Sequence, residues 1–273
     1  MSRLAQQARS LSPGQASSRR LALVVVFGAL NGGAWAASIG AMGGMETGTR
    51  FSVGSFGFFV VLWVLMMAAM MFPSVWPAVG MYGRMNRRQA SARTHSFVHS
   101  ATFVAGYVSS WLAYGLLAFG ALAIARAAGI DGLTGEELAR YVVAPVALAG
   151  ALYQLAPLKQ ACLRQCRGPF SFFLTRWREG TRGALVMGAR HGLFCVGCCW
   201  MLMVVLLAVG VMNVAWMVMV SLAIAAEKLA PARWARPASG LLAAGLVALA
   251  VVALIKPVWL PGVRGMAPGG MTP

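Results

Sequence analysis

Acidic residues are scarce in this sequence: 6 of its 273 residues are Asp or Glu, against 23 Lys and Arg. Charged residues of both signs make up 11% of the chain, whereas a soluble domain devotes about a quarter of its residues to charge. This composition excludes a soluble globular enzyme and a disordered tail. The shortage of carboxylates also disfavours sites for Mg²⁺, Ca²⁺ or Mn²⁺, which need oxygen ligands. No paired carboxylates, nucleophile–base pair or phosphate-binding loop stands out, so an enzyme is not expected.

The sequence is rich in long apolar stretches. Hydrophobic residues make up 59% of the chain, and stretches of roughly 20 residues are long enough to cross a bilayer core of about 30 Å. The sequence therefore predicts an all-α, polytopic transmembrane helix bundle. We expect about seven spans, at residues 21–41, 55–80, 101–125, 141–158, 187–209, 214–230 and 238–255.

The chain accordingly divides into a basic arm at 1–20, a transmembrane helical domain at 21–256 and a Gly/Pro/Met-rich tail at 257–273. Within the first span, Ala34-Trp35-Ala36 resembles a signal-peptidase site that follows a basic segment. A retained span is favoured because the apolar run continues beyond this triplet, although the sequence leaves cleavage open.

The Lys and Arg residues indicate how the spans are oriented. With the N-terminus inside, four segments face the cytoplasm and together hold 17 of the 23 cations; they are 1–20, 82–100, 159–183 and 228–237. This distribution satisfies the positive-inside rule. We therefore expect a multi-pass protein of the bacterial inner membrane, with the lipid bilayer around it and the tail in the periplasm. The formal charge of +17 then reflects orientation and not nucleic-acid binding.

The five cysteines fall in two neighbouring segments. Cys162 and Cys166 are four residues apart, so a helix that continued past Pro157 would place both sulfurs on one face. The second group lies within the fifth span, where one helical face carries His191, Cys195, Cys198 and Cys199. A buried cysteine is usually a small hydrophobic residue. Five of them on two helical stripes, one headed by a histidine, favour a shared chemical role.

Thiolate and imidazole ligands favour Cu(I) or Zn(II). The second span adds thioethers, which often fill gaps in apolar cores but also bind Cu(I), so copper is favoured over zinc. Under the predicted topology all of these groups lie in the cytoplasmic half of the membrane, where thiols stay reduced. The predicted metal ligands are Cys162, Cys166, His191, Cys195, Cys198, Cys199, Met67, Met70 and Met71.

These residues also resemble the motifs of a known family. The motifs are Met66-Met67-Ala68-Ala69-Met70-Met71-Phe72-Pro73-Ser74, Pro157-Leu158-Lys159-x-x-Cys162-x-x-x-Cys166-Arg167, His191-Gly192-x-x-Cys195-x-Gly197-Cys198-Cys199-Trp200 and Glu227-Lys228-Leu229. Over roughly residues 55–245 the chain is similar to bacterial integral membrane proteins that are predicted to bind metal and are sometimes labelled copper chaperones. The resemblance implies metal binding, but it does not imply transport. For a metal-binding protein of this kind we expect a partner protein that donates or accepts the metal.

Two other functions are compatible with the sequence. Cys195-Val196-Gly197-Cys198 is formally a Cys-x-x-Cys motif, so a membrane thiol–disulfide oxidoreductase is one alternative, with Cys162 and Cys166 as an exchanging pair. Against it, two cysteines three residues apart in an apolar helix cannot easily close a disulfide. The other alternative is an assembly subunit whose cysteines only pack. Metal handling, as delivery or transport, is the first hypothesis.

Overall fold

The structure, a computed structural model, describes residues 13–43, 56–89, 93–129, 135–168, 172–174, 177–209 and 214–257. Every regular element in these ranges is a helix, which confirms the all-α fold class. In chain order the helices are α1 (Pro13–Gly43), α2 (Phe56–Gln89), α3 (Arg93–Ala127), α4 (Gly135–Leu138), α5 (Ala144–Leu155), α6 (Pro157–Arg167), α7 (Gly180–Val209), α8 (Val214–Leu229) and α9 (Ala235–Ile255). A π-helical turn joins α4 to α5, and a 3₁₀ turn precedes α9. Most of the predicted basic arm and nearly all of the tail lie outside the described residues.

Among the described residues, four helices are long and apolar enough to cross a membrane. They comprise Phe56–Asn86 of α2, Val98–Ala125 of α3, Gly180–Val209 and Ala235–Ile255. A bent pair that combines α5 and α6 adds a fifth crossing if it is one span. Helix α8 has 16 residues and is about 24 Å long, which is less than the thickness of a bilayer core. The seven-span count and the inside N-terminus therefore stay predictions.

The predicted fourth span is bent, not continuous. Ala156 has an extended backbone with ψ of 139°, and the helices on either side of it meet at 64°. Pro157 explains the break, because proline disfavours a helical residue before it and is accepted at the first position of a new helix. The helix thus does not continue past Pro157. Cys162 and Cys166 lie on the separate helix α6, where their spacing still places them on one face.

Helix α2 runs through Pro73 without interruption. Proline has no N–H, so the carbonyl four residues earlier loses its helical donor. That carbonyl belongs to Ala69, and the side-chain amide of Asn31 on α1 donates to it at 3.0 Å. A neighbouring helix thus satisfies the freed group, which is how prolines are tolerated within apolar helices.

Helix α7 makes its largest contact with α3, and glycines allow the two backbones to approach closely. A Cβ atom on Gly106 of α3 would overlap the carbonyl oxygen of Leu185. One on Gly188 of α7 would overlap that of Phe103. Gly192 follows Gly188 by four residues, and this spacing of small residues is typical of close helix packing in membranes. The contact holds the histidine and cysteine stripe of α7 against α3.

Candidate functional site

Helices α6 and α7 bring the two predicted cysteine groups together. Cys198 Sγ lies 3.9 Å from Cys166 Sγ. The Cys162 side chain packs against Gly197, where an added Cβ atom would lie 2.8 Å from the sulfur. All five cysteines are free thiols; those on α6 are half-buried and those on α7 are buried. One helix contact thus joins thiols that are 32 residues apart in the sequence.

Two thiols of α7 bond to their own helix. Cys198 Sγ and Cys199 Sγ donate to the carbonyl oxygen of Cys195, at 3.1 and 2.9 Å. Serine and threonine hydroxyls bond to preceding carbonyls in helices in the same way. Both thiols are therefore turned back along the helix toward this carbonyl.

The buried Cys195 has partners on two other helices. The Tyr107 hydroxyl of α3 and the Lys228 Nζ of α8 each lie 2.9 Å from Cys195 Sγ. Lys228 Nζ also lies 3.3 Å from Ser74 Oγ and 3.7 Å from Met71 Sδ on α2. The amine nitrogen is therefore surrounded by sulfur and oxygen atoms, at a point where α2, α3, α7 and α8 meet.

His191 is buried one turn before Cys195 on α7. Its ring centroid lies 5.6 to 6.2 Å from those of Phe103, Tyr107 and Phe172. Among the described residues, no group forms a hydrogen bond with His191 Nδ1. A buried nitrogen without a partner is costly, and its position is compatible with the ligand role predicted for this histidine.

The three predicted methionines are buried in α2. Met71 is linked to Cys195 through Lys228, whose Nζ contacts both sulfur atoms. Met67 belongs to the apolar core and lines a small cavity of about 10 Å³. Met70 is fully buried in the same core. Met71 is thus the predicted thioether that direct contacts connect to the cysteine cluster.

Within the described part of the chain, no group of three or more His, Cys, Asp or Glu side chains is arranged to hold a metal ion. In this arrangement two of the predicted thiol ligands bond to a backbone oxygen, and the Lys228 amine lies against Cys195. The Cys166–Cys198 pair is different. Two sulfurs on one tetrahedral zinc, each about 2.3 Å from it, are about 3.8 Å apart, and the observed separation is 3.9 Å.

A buried polar network borders the thiols. Lys159 Nζ and Glu227 Oε1 form an ion pair at 2.5 Å, with side chains that are 1% and 3% exposed. The Ser239 hydroxyl donates to the same carboxylate oxygen at 2.7 Å. Arg167 Nε donates to the carbonyl oxygen of Glu227. These bonds connect α6, α8 and α9 directly beside the cysteine that pairs with Cys198.

The predicted ligand set omits two residues that contact Cys195. The sequence does contain a signal for Lys228, because Glu227-Lys228 ends an apolar helix and ionisable residues within such helices are often functional. Tyr107 gives no comparable signal. Its contact with Cys195 depends on the packing of α3 against α7, which are distant in the sequence.

The fold and these contacts define an all-helical protein with apolar helices of membrane-spanning length and a cluster of buried free thiols. The family model PpoB2, described as "Copper chaperone", matches residues 60–253, and the chain belongs to this family. This match confirms the resemblance inferred from the motifs, and it includes all of the predicted ligands. No curated protein and no solved structure matches the chain. Family and fold together fit a membrane protein that handles metal.

Proposed function

We propose that this protein binds Cu(I) as cargo within the membrane and passes it to, or takes it from, a partner protein. The observation that carries the proposal is the 3.9 Å separation of the Cys166 and Cys198 sulfurs across two helices. It fits two thiolates on one metal ion, and soft thiolates favour Cu(I). Copper also agrees with the description of the family; zinc is the second candidate.

The surrounding ligands would complete the site when copper enters. Cys195, Cys199 and Cys162 lie within one or two helical turns of the pair, either along α7 or on the facing α6. His191 would contribute an imidazole nitrogen that forms no hydrogen bond with the described residues, and Met71 would contribute a thioether next to Lys228. Copper requires deprotonated thiols, so loading would release protons and exchange the thiol–carbonyl bonds for metal bonds.

In the copper-free site, the side chain of Lys228 supplies the positive charge next to the sulfur atoms. Its amine lies against one thiol, one thioether and one hydroxyl. A metal ion drawn to the same sulfur atoms would carry the same sign of charge, so loading would displace the amine from Cys195 by repulsion. The Lys228→Leu variant, which removes the charge without adding a sulfur ligand, is expected to bind Cu(I) more tightly than the wild type.

Metal analysis of the purified full-length protein under reducing conditions tests the proposal. We expect bound copper in the wild type and loss of most of it in Cys166→Ser and Cys198→Ser. Met219→Leu is the control, because it removes a sulfur atom from an exposed residue outside the predicted ligand set. A wild type that binds neither copper nor zinc, or a Cys166→Ser/Cys198→Ser variant with unchanged metal content, would refute it.

The topology forms part of the same proposal. Seven spans with the N-terminus inside place α6 and the first turns of α7 in the cytoplasmic half of a bacterial inner membrane, next to reduced thiol donors. Fusions to the C-terminus test this arrangement. We expect the alkaline phosphatase fusion to be active and the green fluorescent protein fusion to be non-fluorescent. The opposite result would reverse the predicted orientation.

A thiol–disulfide oxidoreductase is the second candidate, and the Cys166–Cys198 contact favours it as well. Two thiols 3.9 Å apart could close to a disulfide with a small movement of α6 against α7. Thiol trapping in cells separates the two functions. A steady fraction of Cys166–Cys198 disulfide would support the enzyme, and complete alkylation of both thiols would support metal binding.

A further inference from the structure

An open cavity of about 1190 Å³ lies where the break between α5 and α6 meets the turn between α8 and α9. Among the described residues that line it, none is acidic and five are cationic: Arg164, Arg167, Lys228, Arg233 and Arg236. The carboxylate of Glu227, next to Lys228 in sequence, is already paired with Lys159 and Ser239. The positive charge of the cavity therefore has no anionic partner on its walls.

Arg167 gives an independent sign that a ligand belongs here. Its Nε donates to the carbonyl oxygen of Glu227, but Nη1 and Nη2 are buried and have no hydrogen-bond partner among the described residues. A buried guanidinium with unpaired N–H groups is strongly unfavourable. The planar fork of arginine matches two oxygens of one phosphate or carboxylate group. An oxyanion in the cavity would satisfy both nitrogens once the Arg167 side chain turned them toward it.

The border of the cavity is apolar and exposed. Leu155 and Leu229 line it and are 63% and 57% exposed, and Trp234, which follows Arg233, is 55% exposed. These residues lie at the ends of apolar helices, together with the arginines. Arginine and tryptophan at such positions mark the level of the lipid head groups. The site thus offers positive charge to a head group and apolar surface to a hydrocarbon chain.

We propose that this cavity binds the phosphate group of an anionic membrane phospholipid, with its acyl chains against the exposed leucines. Basic pockets between transmembrane helices at the head-group level recognise such lipids. Inorganic phosphate offers the same oxygens but has no hydrocarbon chain to pack against the exposed leucines. This lipid site does not depend on copper binding, although Lys228 lies on the cavity wall and also contacts Cys195.

The thermal unfolding midpoint of the purified full-length protein in a neutral detergent tests this lipid site. The probe is dioctanoyl phosphatidylglycerol, and parallel titrations use dioctanoyl phosphatidylcholine and sodium phosphate at equal concentrations. The test variants are Arg167→Gln and Arg236→Gln. The matched control is Arg84→Gln, which removes the same charge from an exposed arginine outside the cavity.

We expect phosphatidylglycerol to raise the midpoint to a plateau in the wild type and in Arg84→Gln. Both cavity variants should weaken its apparent affinity about tenfold or more, because each removes charge-assisted hydrogen bonds. If Arg167→Gln does not fold, the exposed Arg236 decides the question. Equal effects of the two lipids, an equal effect of sodium phosphate, or equal losses in all three variants would each overturn the proposal.

Discussion

Gly106 and Gly120 lie on the same helix, α3, and should respond in opposite directions to replacement by alanine. At Gly106 the new Cβ atom would overlap Leu185 O and lie 2.9 Å from Ala189 N, both of which belong to the backbone of α7. At Gly120 nothing lies within 4 Å of the new atom. The pair therefore separates close packing between helices from the helical preference of alanine.

The expected magnitudes follow from these surroundings. Alanine stabilises a helix relative to glycine by roughly 0.5–1 kcal/mol, and Gly120→Ala should show this gain. At Gly106 the opposing atoms are backbone, so α3 and α7 must separate, and overpacking of this kind costs about 1–3 kcal/mol. The shift also moves Tyr107 away from Cys195. Both variants gain the helical preference of alanine, so their unfolding free energies should differ by the overpacking cost of about 1–3 kcal/mol.

Reversible unfolding in mixed micelles measures this difference. The purified variants in dodecyl maltoside are titrated with sodium dodecyl sulfate, and helicity and tryptophan fluorescence report the folded fraction. Copper binding is measured beside stability, because Gly106→Ala should also weaken it and Gly120→Ala should not. If the two variants unfolded within about 0.5 kcal/mol of each other, the close approach of α3 and α7 would not be an energetic feature of the protein.

Three further outcomes follow from the structure. Glu227→Gln leaves the buried Lys159 ammonium without its counter-charge and should lower the unfolding free energy by about 3–5 kcal/mol. The Lys159→Met/Glu227→Leu double variant removes both charges and should lose less stability. An equal loss in the same titration would contradict the ion pair. Cys162 and Cys166 are half-buried and the other three thiols are buried. Maleimide should therefore label two sites quickly and three slowly, as followed by intact mass, and one common rate would contradict this burial. Asn31→Leu removes the side-chain donor from α1 to α2 and should cost about 1–3 kcal/mol, and an unchanged unfolding curve would argue against that contact.

The sequence predicted the all-helical fold class and the family correctly, because both depend on local patterns. Within a membrane, the backbone N–H and C=O groups of an apolar run must form hydrogen bonds with one another. A run long enough to span the bilayer does so by forming a helix. The cysteine, histidine and methionine motifs predicted the family, and the match to the family model confirms it. The sequence does not identify the partners of Cys195, since Tyr107 and Lys228 are 88 and 33 residues away from it along the chain.

The sequence by itself thus determined an all-helical fold and the chemical types available to bind a metal. Only the tertiary structure decided which of these groups meet. It placed Cys166 against Cys198 and the Lys228 amine against Cys195. Within the described residues, it arranged no group of three or more His, Cys, Asp or Glu side chains to hold a metal ion. The physical reason is that contacts between distant helices depend on how closely their backbones pack. Here the glycines between α3 and α7 set that distance.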